Sequence, residues 1–338
     1  MREPDFWYRP PSLKSLSLAP IGALYGVIAG RRMLQGGIDA GIPVICIGNY
    51  HLGGAGKTPM VLALTRVLRD LGERPTVLSR GYGGRLRGPV TVDPGSHEAT
   101  DVGDEPLMLA ETVPVVVSRD RIQGVALAKA QNASVILMDD GFQNPAIAKD
   151  ASLIVIDAER GVGNGKVFPA GPLRAPLPAQ IVRTDALIVI AEGSAARPVI
   201  EAVAAHHRPV LSARITAHER SRAALRGKRV LAFAGIGDPD RFFRTLRGCD
   251  IELARERTFP DHYQFSANDI AGLVAEARRD GLTLVTTEKD MVRLRRSDAA
   301  EDIVPFAVTL EFEEPSRLRT LVTDWLFRAR AKKFRGSD

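Results

Sequence analysis

A chain of 338 residues with 45% hydrophobic and 25% charged side chains exceeds one ordinary domain and has the balance of a soluble globular protein. Its two cysteines, Cys46 and Cys249, exclude a disulfide framework and a Cys-rich zinc site and fit a reducing compartment. A formal net charge of +6 fits an anionic lipid surface or a phosphorylated substrate better than nucleic acid, since no RNA-binding signature or aromatic–basic interleaving occurs.

Residues 15–30 carry no charge and include Leu16, Leu18, Ile21, Leu24, Tyr25, Val27 and Ile28. The stretch is too short to span a bilayer, which takes about 20 apolar residues. Glu3, Asp5 and the lack of a small-residue cleavage site argue against a signal peptide. It is either a helix in the membrane interface or a buried core helix. Phe6, Trp7 and Tyr8 beside Lys14, Arg31 and Arg32 favour the interface. Residues 1–35 are therefore expected to make a peripheral membrane contact.

An apolar strand over 44–47 leads into Leu52-Gly53-Gly54-Ala55-Gly56-Lys57-Thr58 and then an amphipathic helix over 60–71, ended by Gly72. Strand, glycine turn and Lys-Thr pair make a cradle for a nucleoside triphosphate. Backbone N–H groups of Gly53, Gly54, Ala55 and Gly56 approach phosphate oxygens, Lys57 reaches the terminal phosphates, and Thr58 can hold Mg²⁺. His51 stands where the strict pattern has its first glycine. Leu52 replaces the second lysine of ParA-like dimeric ATPases and disfavours that class.

Further apolar runs at 76–78, 113–117, 135–138, 153–156 and 186–190 alternate with helical patterns at 105–111 and 121–130. The alternation predicts an α/β fold: a P-loop NTPase-like, mostly parallel sheet with helices on both faces. A second series, with strands at 229–234 and 282–286 and helices at 240–246 and 267–280, predicts a smaller α/β unit over 220–308. Segments 209–216 and 304–312 are expected to pair as a two-stranded linker, returning the helix at 314–332 to the first unit. The kinase-like unit is thus 36–216 together with 312–338.

Several segments carry chemistry. The strand over 135–138 ends in Asp139 and Asp140, and such a strand sets a carboxylate beside the Mg²⁺ of a P-loop; a plain Asp-Asp-Gly turn is the alternative. Asp104, in Gly103-Asp104-Glu105-Pro106, is read as an N-cap or as a general base. His262, in a loop between strand and helix, can tune such a base; a solvated histidine is the alternative. Arg80, Arg119, Arg121 and Arg174 have forked donors suited to phosphate, although each alone is more often a surface arginine or a salt-bridge partner. Gln143 closes the candidate list, and Thr286-Thr287-Glu288-Lys289-Asp290 has no chemical role evident from its residues.

Together these motifs give the chain a resemblance to the tetraacyldisaccharide 4′-kinase family, the lipid A kinases of Gram-negative bacteria. It rests on Gly48-Asn49, Gly53–Pro59 read in order, 79–84, 103–106, 118–121, 139–143, 168–174, 261–263 and 286–290, spread over about residues 10–325. The resemblance implies transfer of the ATP γ-phosphate to the 4′-hydroxyl of a tetraacyl glucosamine disaccharide 1-phosphate, with Mg²⁺. It places the reaction at the cytoplasmic face of the inner membrane and makes the N-terminal segment the membrane contact. It puts the P-loop lysine and threonine on Lys57 and Thr58, the catalytic carboxylate and histidine on Asp104 and His262, and the aspartate pair on Asp139 and Asp140. Ala175 stands where many relatives have glutamate, so no contact is carried over there. Because His262 falls in the second unit, closure of the two units is expected to assemble the site. A P-loop GTPase switch or metallochaperone is the alternative, but no Asn-Lys-x-Asp signature for guanine occurs. A nucleotide sensor would have no need of Asp104.

Overall fold

The computed structural model describes residues 3–10, 12–54 and 56–335. Residues 1, 2 and 11 of the expected N-terminal segment and 336–338 of the C-terminal one lie outside it. The strands, in chain order, are β1 (Val44–Gly48), β2 (Pro75–Ser79), β3 (Val90–Thr91), β4 (Val115–Val117), β5 (Val135–Asp139), β6 (Ala151–Asp157), β7 (Ala186–Ile190) and β8 (Val210–Ala217). They continue with β9 (Arg229–Ala234), β10 (Glu252–Thr258), β11 (Thr283–Thr287), β12 (Ile303–Phe306) and β13 (Val308–Phe312). Nine of them form one sheet in the order β13-β8-β7-β6-β1-β5-β2-β4-β3. All neighbours pair in parallel except β13 on β8 and β3 on β4. The other four form a parallel sheet, β10-β9-β11-β12.

The central strands are apolar throughout because both faces are covered, as parallel sheets require. Successive side chains alternate between two cores. Ile45, Ile47, Leu137 and Leu153 face Met60, Leu64 and Leu68 of the helix Lys57–Asp70 and Leu318, Val322 and Trp325 of the helix Pro315–Arg335. Val44, Cys46, Ile136 and Ile154 face the opposite core with Val125, Ala128, Val199 and Val203. The P-loop helix and the C-terminal helix thus share one face. The antiparallel pair β8–β13 sits at the edge of the large sheet and connects it to the small one.

Parallel order brings the carboxyl ends of β1, β2, β4 and β5 to one edge, where ligands bind in such sheets. From the small sheet, Arg241 pairs with the buried Asp157 and Arg244 Nη2 with Glu159 Oε2 at 3.0 Å, both acids standing at the end of β6. The helix Glu288–Leu294 lies against the helix Asp104–Ala110. The small sheet is therefore packed onto the same edge.

Candidate active site

At the end of β1 the chain turns through a buried Asn49, whose Nδ2 donates to Gly53 O at 3.0 Å and closes the glycine loop. Gly56 starts the following helix at φ 82°, a left-handed conformation that favours glycine. The segment 171–174 braces the loop: Leu52 N donates to Pro172 O at 2.8 Å, and Arg174 Nε to His51 O at 3.0 Å. His51 is buried and its Nδ1 lies 2.7 Å from Leu52 O. Burial drives its pKa down to about 4, so the imidazole is neutral and donates from Nδ1. Glu3 lies against Gly53 and pairs with Arg160, which tethers the N-terminal segment to the loop.

Two cations meet one carboxylate at this loop. Lys57 Nζ is 3.5 Å and Arg174 Nη1 2.8 Å from Asp140 Oδ1. Burial works to raise the Asp140 pKa, but those two cations win and hold it at about 2. Asp139, the buried last residue of β5, behaves oppositely. Burial, reinforced by the charges of Glu105 and Asp140, pushes its pKa up to about 7. Two adjacent aspartates so occupy distinct electrostatic environments.

The second cluster begins at Gly103. This glycine, at φ 94°, occupies the N-cap, and Asp104 is the first helical residue rather than the expected cap. The backbone reason is steric: a Cβ at Gly103 would lie 2.3 Å from Tyr82 O. The Asp104 carboxylate makes no cap bond and instead takes His262 Nδ1 at 2.7 Å and Arg293 Nε at 3.0 Å, both on Oδ2. Its side chain is only 7% exposed. Burial would raise its pKa, but the His262 hydrogen bond and the charges of Arg293 and Lys289 hold it below the usual carboxylate range. His262 is held at φ 58°, with its N–H on Gly235 O at 3.0 Å.

Asp104 and His262 line a cavity of about 640 Å³ with Arg80, Tyr82, Arg119 and Asp261. Glu105 joins the two clusters. It pairs with Lys289 at 3.2 Å, and Lys289 and Lys57 hold its pKa down.

The expected residues divide by direction. Arg80 and Arg119 face the cavity of Asp104, and Arg174 stands with Lys57 at the loop. Arg121, expected as a candidate phosphate contact, does not face the cleft. It opens the helix Arg121–Ala130 beneath the sheet, where its guanidinium donates to the carbonyls of Leu78 and Asp139 at 3.2 and 3.4 Å. Gln143 is a brace too, its Nε2 on Asn49 O at 2.8 Å and Gln180 Oε1 at 2.9 Å. Ala55 lies outside the described residues. Ala175 is fully buried and its carbonyl accepts from Gln180. The expected closure is not needed to join Asp104 to His262, which are already in contact.

Glu105, Lys289, Asp290 and Arg293 escaped the sequence reading. The signal was present in part: Lys289, within the unexplained 286–290 motif, and Arg293, three residues beyond it, are four apart and share a helix face.

The geometry can be set beside known proteins. Residues 14–326 match the family model described as "Tetraacyldisaccharide-1-P 4'-kinase". A relative from Bradyrhizobium diazoefficiens named tetraacyldisaccharide 4'-kinase is 65% identical over 99% of this chain and 99% of its own. One of the same name from Nitrobacter winogradskyi is 61% identical over 98% and 99%. A crystal structure of LpxK from Aquifex aeolicus in complex with ATP superposes with a TM-score of 0.73 at 26% identity, covering 92% of this chain and 99% of that one. The chain belongs to the tetraacyldisaccharide-1-P 4'-kinase family.

Proposed function

We propose that the chain is an ATP-dependent kinase that phosphorylates the 4′-hydroxyl of a tetraacyl glucosamine disaccharide 1-phosphate, the lipid A precursor. Family membership supports the substrate class. The observation that carries the chemistry is a phosphate loop with Lys57 opening beside a carboxylate–histidine pair on one edge of the sheet. In this reading the amides around Gly53, Gly54 and Gly56 and the Lys57 ammonium hold the β- and γ-phosphates. The acceptor oxygen attacks the γ-phosphorus while the bond to the bridging oxygen of ADP breaks. Asp104 takes the hydroxyl proton on its free Oδ1, and His262 fixes the orientation of that carboxylate. Arg80 and Arg119 give the cavity positive charge for the anionic disaccharide.

The donor set fits Mg²⁺. Thr58, Asp139 and Asp140 offer hard oxygens, and the buried Asp139 stands beside two further acids, Glu105 and Asp140, so burial first and those charges second raise its pKa. Among the described residues no three His, Cys, Asp or Glu side chains form a metal cage, which suits an ion completed by phosphate oxygens. When bound, Mg²⁺ would supply neutralisation of the triphosphate charge.

The membrane contact also finds support. Gly22 and Gly26 seat the helix Ala19–Met33 against Val167, Ala170 and Pro176. Ile21, Leu24, Tyr25, Val27 and Ile28 point outward and exposed, with Lys14, Arg31 and Arg32 at the ends. Among the described residues no helix is long and apolar enough to cross a membrane. A peripheral seat on the cytoplasmic face of the inner membrane follows from this reading. The same reading divides the chain into a membrane-contact segment 1–35, a kinase unit 36–216 joined by 312–338, and an acceptor-side unit 220–308.

Transfer of label from γ-labelled ATP to the disaccharide lipid tests the activity. The parent chain gives a labelled lipid, and Lys57→Ala lowers the rate at least about 10²-fold. A Lys57→Ala rate equal to the parent's would refute the reading.

A further inference from the structure

We propose that Arg293 is a positioning residue for phosphoryl transfer: it grips one oxygen of Asp104, anchors the loop that carries His262, and leaves the other Asp104 oxygen for the acceptor hydroxyl. The inference rests on the kinase reading above.

The Arg293 side chain is 1% exposed, and each nitrogen of its fork has an acceptor. Nε donates to Asp104 Oδ2 at 3.0 Å. Nη1 donates to Asp290 Oδ1 at 2.9 Å, to Tyr263 O at 3.0 Å and, with Nη2, to Gly235 O at 3.3 Å. Gly235 O is also the acceptor of the His262 N–H, and Tyr263 follows His262 directly. One guanidinium therefore holds the carboxylate, the carbonyl that accepts the His262 N–H and the carbonyl of the residue after His262. His262 needs such a frame, since a non-glycine residue at φ 58° persists only where its surroundings impose it.

The geometry also gives the 286–290 motif a task. Thr287 caps the helix Glu288–Leu294 by accepting from Asp290 N at 3.0 Å. Asp290 Oδ2 takes Gly235 N at 3.0 Å and Thr287 Oγ1 at 2.8 Å. Its other oxygen is thereby aimed at Arg293. One helical turn before Arg293, Lys289 pairs with Glu105. Two cations four residues apart so meet two successive acids at the start of the facing helix. A lysine cannot replace Arg293 here, because only a planar fork serves several acceptors in fixed directions.

Groups facing Asp104 are His262, Arg293, Lys289, Glu105, behind His262 Asp261, and across the cavity Arg80, Tyr82 and Arg119. Loss of the Arg293 charge raises the Asp104 pKa and moves the acid limb of kcat/KM to higher pH. A purely structural bolt would change the amount of folded enzyme but not that limb.

The test compares full-length Arg293→Lys, Arg293→Met combined with Asp290→Asn, and the surface control Arg296→Ala. The double variant removes both buried charges together, so it folds where a lone Arg293→Ala would strand Asp290. Melting curves first establish folding. Expected is a fall in kcat of about 10²-fold in both Arg293 variants with KM for ATP within about twofold of the parent. The acid limb moves upward in the double variant and stays in place in Arg293→Lys, which keeps the charge. Arg296→Ala matches the parent. Folded Arg293 variants with kcat within threefold of the parent, or with falling kcat but an unmoved limb in the double variant, overturn the positioning role alone. A parent chain inactive on the disaccharide removes the kinase reading and this role with it.

Discussion

Leu24 and Ile28 should carry a large part of membrane affinity while contributing almost nothing to the fold. They lie one turn apart on the outer face of the helix Ala19–Met33, 66% and 60% exposed. Full burial of such a side chain stabilises by about 1.5–3 kcal/mol. Burying the exposed share of both in the headgroup region therefore contributes about 2–4 kcal/mol. Replacing both by serine should weaken partitioning by about 30- to 700-fold, at 1.4 kcal/mol per tenfold. The assay is sedimentation with vesicles containing anionic phospholipid, with the melting temperature measured in parallel. Melting should move by no more than about 1 °C, because neither side chain is packed. Lys14, Arg31 and Arg32 add a separate electrostatic share of about 1 kcal/mol each, which high salt removes. Vesicle binding of the double variant within threefold of the parent would refute the reasoning, since Leu24 and Ile28 are the two most exposed large apolar side chains of that helix.

Asp104→Asn should lower kcat by about 10²–10⁴-fold with little change in KM for ATP, as read in the labelled-ATP assay. Gly103→Ala should destabilise the chain by about 2–4 kcal/mol in denaturant melting, because the new Cβ meets Tyr82 O and φ is 94°. His51 should make stability fall on acidification. Its folded pKa of about 4 lies below the unfolded 6.5, so the unfolded chain binds the extra proton between those values. The contribution is complete above pH 6.5 and is lost as pH falls toward 4, by up to about 3 kcal/mol. His51→Asn should flatten the melting temperature against pH over that window, and an unchanged slope would count against it.

The sheet was legible in the sequence because its strands are buried on both faces. Runs such as 135–138 and 186–190 are continuous and bounded by turn residues. β10 was not, because Glu-Leu-Ala-Arg-Glu-Arg-Thr at the edge of the small sheet is mostly exposed and reads as a polar loop. The phosphate loop was legible for a local reason: its glycines, lysine and threonine lie within six residues. Asp104 and His262 stand 158 residues apart, and only resemblance linked them. Arg121 and Arg174 show the remaining limit. Both are arginines near strand ends, yet one turns inward to carbonyl oxygens and the other outward to Asp140. Residue type fixes what a group can bind, while its place in the fold, a helix start for Arg121 and a loop for Arg174, fixes what it meets.

The cations around Asp104 present a physical choice between strength and placement. His262, Arg293 and Lys289 lower its pKa and so weaken it as a base. Were proton abstraction to lead the reaction, that loss would be a defect. Phosphoryl transfer passes through a loose transition state in most analyses, so the acceptor hydroxyl keeps most of its proton until late and asks little of base strength. General-base help is worth about 10²–10⁴-fold, whereas fixing two reactants in line reaches effective molarities of about 10⁵ M and above. Placement outweighs basicity by that comparison. Two donors on one oxygen of a buried carboxylate cost some proton affinity and secure the direction of the other oxygen. The phosphate loop rides on the large sheet, and both donors come from the small sheet's side. Alignment of nucleotide and acceptor therefore depends on the packing of the helix Glu288–Leu294 against Asp104 and Glu105 more than on any single titration.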